Sequence, residues 1–309
     1  MAAYHRNELI ARSLFKHEHR VHTDIERKEQ QKKKIEEKNI LKKMQIELDQ
    51  RASYNNNLIS LNKTKKEVSC AEEIKQKGKD TLILKNLNIK RIPDYLYLEV
   101  ESKDVLSTIV DLDLSGNLLA KIPNDGFFFH LNALKRLNLS RNCLQNLPLE
   151  ISNLGNIEIL HLNRNQLTTL PEEIKHLKRL VILKCSFNKI ASLPHGIGGA
   201  ISLKVFEIDC NSLMEIPKTI GNLSNLEKFS LCQNNLYLLP DEFCHLSNLI
   251  QTNLSKNNLI RIPENIGLLE ELENLNLASN RIYVSEIFSC IESKMSALKF
   301  QSHWKIEYT

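Results

Sequence analysis

Aromatic residues are few in this 309-residue sequence: only 6% of it is Phe, Trp or Tyr, although 42% is apolar. Leucine and isoleucine must therefore fill the core, which points to stacked repeats and away from one large globule. Glycine and proline are scarce, at 9 and 8 residues. No apolar run reaches the roughly 18 residues needed to cross a bilayer. The seven cysteines, Cys70, Cys143, Cys185, Cys210, Cys232, Cys244 and Cys290, are scattered and never spaced as CxxC. That argues against a disulfide framework and a structural zinc site. The opening Met1-Ala2-Ala3-Tyr4-His5-Arg6 has no apolar signal region, so an intracellular, cytoplasmic, reducing location is expected. Sequons such as Asn138-Leu139-Ser140 are then expected to carry no glycan. Glu8 and Glu18 argue against reading Arg6, Arg12, Lys16 and Arg20 as a mitochondrial presequence.

Residues that carry chemistry are equally sparse. Gly78-Lys79-Asp80-Thr81 lacks the upstream glycine and the preceding strand of a phosphate loop. His17, His19 and His22, near Glu18 and Asp24, have spacings of two and three that rarely converge on a metal along a helix. The frame derived below puts Cys185 inward, as a small core residue, and Cys210 and Cys232 outward. The expectation is a chain that is not an enzyme, with no cofactor, no metal and no small-molecule substrate.

What the sequence does contain is a repeat. The frame L-x-x-L-x-L-x-x-N-x-L-x-x-L-P-x-x-I-x-x-L-x-x is clearest from Ile157 to Leu167, followed by Leu170-Pro171 and Ile174. Eight copies begin at Ile109, Leu134, Ile157, Leu180, Leu203, Leu226, Leu249 and Leu272; the first is 25 residues long and the next six are 23 each. Asparagine holds the ninth position in every copy: Asn117, Asn142, Asn165, Asn188, Asn211, Asn234, Asn257 and Asn280. A buried amide, both donor and acceptor, is expected there to satisfy backbone groups of the turn between adjacent coils. Every proline, from Pro93 to Pro263, falls in a Leu/Ile-Pro step of the frame.

The residues around Leu160 and Leu162 alternate with period two and read as a short strand with both leucines inward. Pro171 suits the first turn of a short helix, and Glu172 and Glu173 suit its positive end. In repeat 4, His195-Gly196-Ile197-Gly198-Gly199-Ala200 occupies the helical stretch, so that helix is expected to give way to irregular chain and this coil to be the loosest.

These motifs resemble the intracellular leucine-rich-repeat family, in particular the LPxxIxxL subclass of Ras-pathway and Scribble-like adaptors, over about residues 80–290. The resemblance implies an α/β leucine-rich-repeat solenoid, with a curved parallel sheet on the concave face and short helices on the convex face. It implies protein binding on the scaffold without naming a partner. Residues 109–282 hold the eight repeats. Residues 63–108 are a linker and a degenerate N-terminal cap, in which Leu82, Leu84, Ile89, Ile92 and Pro93 fit the frame and Leu87 takes the asparagine position. Residues 283–309 are a C-terminal cap helix, over Val284 to Leu298, and a tail.

Residues 1–62 form a basic helical or partly disordered extension. Residues 1–78 hold 18 Lys/Arg against 12 Asp/Glu, and residues 79–309 hold 24 against 25, so the net charge of +5 originates in this quarter of the chain. Heptads there are too sparse to specify a coiled coil, though a long charged helix is expected. The run Lys32-Lys33-Lys34, with Lys38, Lys42 and Lys43, offers an alternative function as a nucleic-acid or acidic-membrane binder. No aromatic side chains interleave the lysines, which removes a stacking platform for single strands.

Outward strand positions mark the expected partner site. At the third position Arg136 is followed by Ile159, Ile182 and Val205, an apolar stripe facing water. Phe187 at the eighth position adjoins it, and Arg136, Arg141, His161, Arg164 and Lys184 rim it. An apolar centre with a charged edge is the anatomy of a protein interface.

Overall fold

The computed structural model describes residues 80–92, 106–124 and 126–282, together with the backbone of residues 305–307. The sequence expectations for residues 1–62, including the lysine run and the three histidines, and for a helix over Val284 to Leu298, lie outside the described residues.

Each coil contributes a strand of three residues, in which one inward side chain, at the fourth position, separates the two outward side chains at the third and fifth. The strands are β1 (Thr81–Ile83), β2 (Asp111–Asp113), β3 (Arg136–Asn138), β4 (Ile159–His161), β5 (Ile182–Lys184), β6 (Val205–Glu207), β7 (Lys228–Ser230), β8 (Gln251–Asn253), β9 (Asn274–Asn276) and β10 (Lys305–Glu307). All ten pair in parallel and in chain order as one sheet. Equivalent frame positions face one another throughout, as in Ile159↔Ile182↔Val205. At ~4.8 Å per strand the sheet runs about 43 Å. The coil carrying β1 joins in the same register, Thr81↔Asp111, with Leu82, Leu84 and Ile92 buried. β10 pairs with β9 where the sequence frame supplies only a tail.

Opposite the sheet, the short helices expected after each Leu/Ile-Pro step are 3-10 turns, five residues long from Leu149–Asn153 onward. Five residues are too few to nucleate an α-helix. The proline stands just before the turn in extended conformation, φ −71° and ψ 150° at Pro171, instead of inside its first turn. Its carbonyl accepts from the amide three residues on, at 3.2 Å for Ile174.

Repeat 4 departs from its sequence expectation. His195–Gly199 is a 3-10 turn like its neighbours. Its glycines serve close packing and do not loosen the coil. A Cβ on Gly196 would collide with the backbone carbonyl of Glu172, one on Gly198 with that of Thr219, and one on Gly199 would lie 2.6 Å from the Lys175 Cβ. The room left at Gly196 admits the Glu172 carboxylate, which accepts from the amides of His195 at 3.0 Å and Gly196 at 2.6 Å. An acidic side chain of repeat 3 thereby caps the turn of repeat 4.

Between sheet and turns lies one continuous leucine-rich core from Leu82 to Leu277. Its aromatic residues form two groups: Phe127 and Phe128, with centroids 5.5 Å apart, and Phe206, Phe229 and Phe243, in which Phe206 and Phe229 stack at 5.2 Å and Phe243 lies 6.1 Å from Phe229.

The ninth-position asparagines bind the coils to one another. Asn165 donates to the carbonyl of Leu139 in the preceding coil at 2.9 Å and to Leu162 in its own at 3.0 Å, and accepts from the Leu144 amide at 3.1 Å. The same three bonds recur from Asn142 to Asn280. Asn117 reaches the cap coil in the same way, with its oxygen accepting from both Leu87 and Ile89. The amide acts on the coil before it; among the described residues no coil precedes that of Leu87, and there a leucine suffices.

Candidate functional site

Three rows of outward side chains cross the sheet, at the third, fifth and eighth frame positions. In the third row Arg136, Ile159, Ile182 and Val205 are register neighbours. The three aliphatic residues are half-buried, so they form a continuous stripe that solvent still reaches. Phe187 in the eighth row is 48% exposed. The Arg164 guanidinium lies over its ring, 4.5 Å from the centroid.

The structure places all nine expected residues on repeats 2 to 5 of this face, but the rim is not a set of free cations. Arg136 is held by Asp111, with Nε 3.0 Å and Nη2 2.9 Å from Oδ2. Lys184 lies 3.1 Å from Glu207, which a second cation, Lys228, approaches at 2.9 Å. Burial alone would raise the Glu207 carboxyl, but hydrogen bonds and charge from these two lysines outweigh it and hold the group below the usual carboxylate range. His161 is pushed toward its neutral form, first by burial and then by the charge of Lys184. Arg141 and Arg164 are exposed rim cations that meet no acidic partner among the described residues, Arg164 lying over Phe187 instead.

Eighth-position residues all have left-handed backbone, including Arg141, Arg164, Phe187 and Cys210, with φ between 54° and 68°. In repeats 7 and 8 the third and fifth rows become amide-rich, through Gln251, Asn253, Asn274 and Asn276.

Two features were not anticipated from the sequence. The first is a chain of seventh-position contacts in which Asn163 accepts from the Ser186 amide, Ser186 Oγ from the Asp209 amide, and Asp209 from the Cys232 amide, at 2.8–3.1 Å. Only its polar composition at one frame position hinted at this. The second is Met214 and Tyr237, both at the twelfth position and 67% and 51% exposed. They follow the inward eleventh residue, and reading that position down the repeats would have aligned them.

Cys185 is buried, and burial pushes its thiol pKa far up, as its inward frame position requires. Cys210 and Cys232 are half-exposed. Among the described residues no three His, Cys, Asp or Glu side chains are grouped to hold a metal, and no helix is long and apolar enough to cross a membrane.

The Leucine Rich Repeat family model matches residues 133–154 and 156–177. No curated protein matches. Among solved structures, a leucine-rich-repeat protein of Leptospira interrogans is 29% identical with a TM-score of 0.54, the match covering 73% of this chain and 59% of that one. The plant peptide hormone receptor RGFR1, in complex with RGF2, is also 29% identical, with a TM-score of 0.59 over 74% of this chain and 35% of the receptor. A chain of the octameric complex of Latrophilin 3, Unc5D and the leucine-rich-repeat protein FLRT2 shares the fold at 21% identity, with a TM-score of 0.61 over 74% of this chain and 69% of that one. The chain thus carries leucine-rich repeats and folds as their solenoid, while spanning well under two thirds of the first two structures it resembles.

Proposed function

We propose that this solenoid is a non-catalytic interaction module, a scaffold or adaptor that holds a protein partner on its concave sheet face across repeats 2 to 5. Phe187 is the observation that carries this reading. A bulky residue in left-handed backbone costs about 1–2 kcal/mol relative to ordinary conformations, and glycine or asparagine would hold the turn with less strain. At 48% exposure the ring gains little burial in exchange. Every eighth-position residue shares this backbone, so what distinguishes Phe187 is a large ring, half exposed beneath the Arg164 guanidinium, at a position that no other repeat fills with an aromatic residue. Beside it, Ile159, Ile182 and Val205 supply an aligned apolar floor.

The partner that fits carries an aliphatic or aromatic anchor for this floor, a carboxylate for Arg141, and backbone amides for the asparagine-rich end of the face. Support comes from the receptor and FLRT2 structures, both complexes with other chains. The LPxxIxxL resemblance to signalling adaptors, and a reducing cytoplasmic location, belong to the same reading. The experiment compares partners captured by wild-type protein and by an Ile159→Glu, Phe187→Glu double variant, once circular dichroism shows both folded. Partners lost from the variant alone uphold the reading. An unchanged partner list refutes it and directs attention to residues 1–62, whose deletion would then abolish salt-dependent RNA or liposome binding.

A further inference from the structure

We infer that Cys210 and Cys232 form a dithiol modification site on the rim of repeats 5 and 6, which closes to an inter-coil disulfide by exchange with a low-molecular-weight disulfide such as oxidised glutathione.

Backbone geometry brings the pair together. The Cys210 amide donates to the Cys232 carbonyl at 2.8 Å. With ordinary bond lengths this contact holds the two Cα atoms within about 6.7 Å, inside the span of about 4.4–6.8 Å that disulfides bridge. The Cys210 side chain already lies at the boundary between repeats 5 and 6. The Cys210 thiol reaches across it to Gln233, the residue after Cys232, with Sγ 3.5 Å from Oε1. Cys232 Sγ accepts from Ser255 Oγ of repeat 7 at 3.2 Å, a contact it gives up in turning back toward Cys210. Both residues are half-exposed, whereas Cys185 and Cys244 are buried and Cys143 has no cysteine on an adjacent coil. The site is therefore the one place among the described residues where two half-exposed cysteines on adjacent coils are joined backbone to backbone.

The local charges set the conditions for reaction. Burial first, then the negative charges of Asp209 and of the Cys232 thiolate, raise the Cys210 thiol, while Lys256 and Arg164 oppose the shift. Ionisation, and with it attack, is favoured as pH rises toward the alkaline side of neutral. One thiolate attacks a sulfur of the small disulfide, forming a mixed disulfide and expelling one small thiolate. The second cysteine thiolate then attacks the protein sulfur of that intermediate, forming the Sγ–Sγ bond and expelling the other. The cysteine pair is oxidised by two electrons, the small disulfide is reduced, and the two protons from the cysteines end on the two released thiols. The bond joins the eighth-position row that carries Arg164 and Phe187 to the seventh-position row, but the inference is independent of partner binding.

The test treats the full folded chain with oxidised glutathione at pH 8, blocks remaining thiols with iodoacetamide under denaturing conditions, and maps tryptic peptides by mass spectrometry. The expected product links the peptides of residues 205–218 and 229–256, about 2 Da lighter than the two together with Cys244 alkylated, and fragmentation places the bond on Cys210 and Cys232 with the alkyl group on Cys244. In C210S or C232S, each checked for its fold by circular dichroism, the remaining cysteine should stop at the glutathione adduct. Wild-type protein that carries separate glutathione adducts on the two residues without the cross-link, or that leaves both unmodified, would overturn the inference.

Discussion

Replacing Asn165 by alanine tests the physical basis of the solenoid at a single side chain. The amide makes three bonds, and they are not equivalent. The carbonyl of Leu139 also receives Asn142 Nδ2 at 3.0 Å, and that of Leu162 also receives Asn188 Nδ2 at 3.0 Å, so each keeps one donor after substitution. The Leu144 amide has Asn165 Oδ1 as its acceptor and is left stranded in a buried turn. A stranded buried donor costs about 1–3 kcal/mol, and two lost bonds to half-satisfied carbonyls add about 0.5 each. The expected loss is about 2–4 kcal/mol, or roughly 4–16 °C in melting temperature for a domain of this size. Urea unfolding followed by circular dichroism measures the loss, and hydrogen exchange locates it. Leu144 should lose protection while amides in repeats 7 and 8 keep theirs, because each coil contacts only its neighbours. An unchanged midpoint together with a protected Leu144 amide would refute the asparagine ladder as the tie between coils.

Further outcomes follow from the same geometry. Gly198→Ala should lower the urea midpoint, with a loss of about 1–3 kcal/mol, because the new Cβ meets the Thr219 backbone. Gly155→Ala, with nothing within 4 Å, is its control and should stay within about 0.5 kcal/mol of wild type. Thr252 is 1% exposed at an inward strand position, and among the described residues its hydroxyl has no partner. Thr252→Val should therefore raise stability by about 1 kcal/mol in the same assay, and a decrease would contradict that account. Asp209→Asn should stabilise the protein at pH 8. Burial holds the Asp209 carboxyl above its usual range despite hydrogen bonds from Ser230 and Cys232, so the folded state disfavours its charge. That penalty is present above the folded-state pKa and vanishes below the unfolded one, so the gain should shrink as pH falls. A gain that grows toward acid pH would contradict the assignment.

The coil frame was legible because it depends on residue types that allow few substitutes. Only an amide supplies both the donor and the acceptor that Asn142 or Asn234 provides, and the aliphatic periodicity of Leu160 and Leu162 fixes which side of the strand is core. Repeat 4 was misread because helix propensity prices glycine in an isolated helix. Here Gly196 and Gly198 are set by how closely the Glu172 and Thr219 backbones approach from neighbouring coils, a tertiary quantity. The site was half legible for a similar reason. The frame assigns Ile159, Ile182, Val205 and Phe187 to one face, but it cannot show that Arg136 is held by Asp111 or that Lys184 and Lys228 share Glu207. Those ion pairs depend on side-chain reach between coils, and they leave Arg141 and Arg164 as the rim cations with no acidic partner among the described residues.

Whether the sheet face is where a partner sits can be measured with a photo-crosslinking amino acid placed at Ile182, in the middle of the apolar stripe, and separately at Lys175, on the exposed convex turn of repeat 3. After irradiation in a lysate of the native cells, the account predicts one discrete protein adduct from position 182, removed by Phe187→Glu, and none from position 175. Adducts arising from position 175 alone, or a position 182 adduct indifferent to Phe187→Glu, would contradict it.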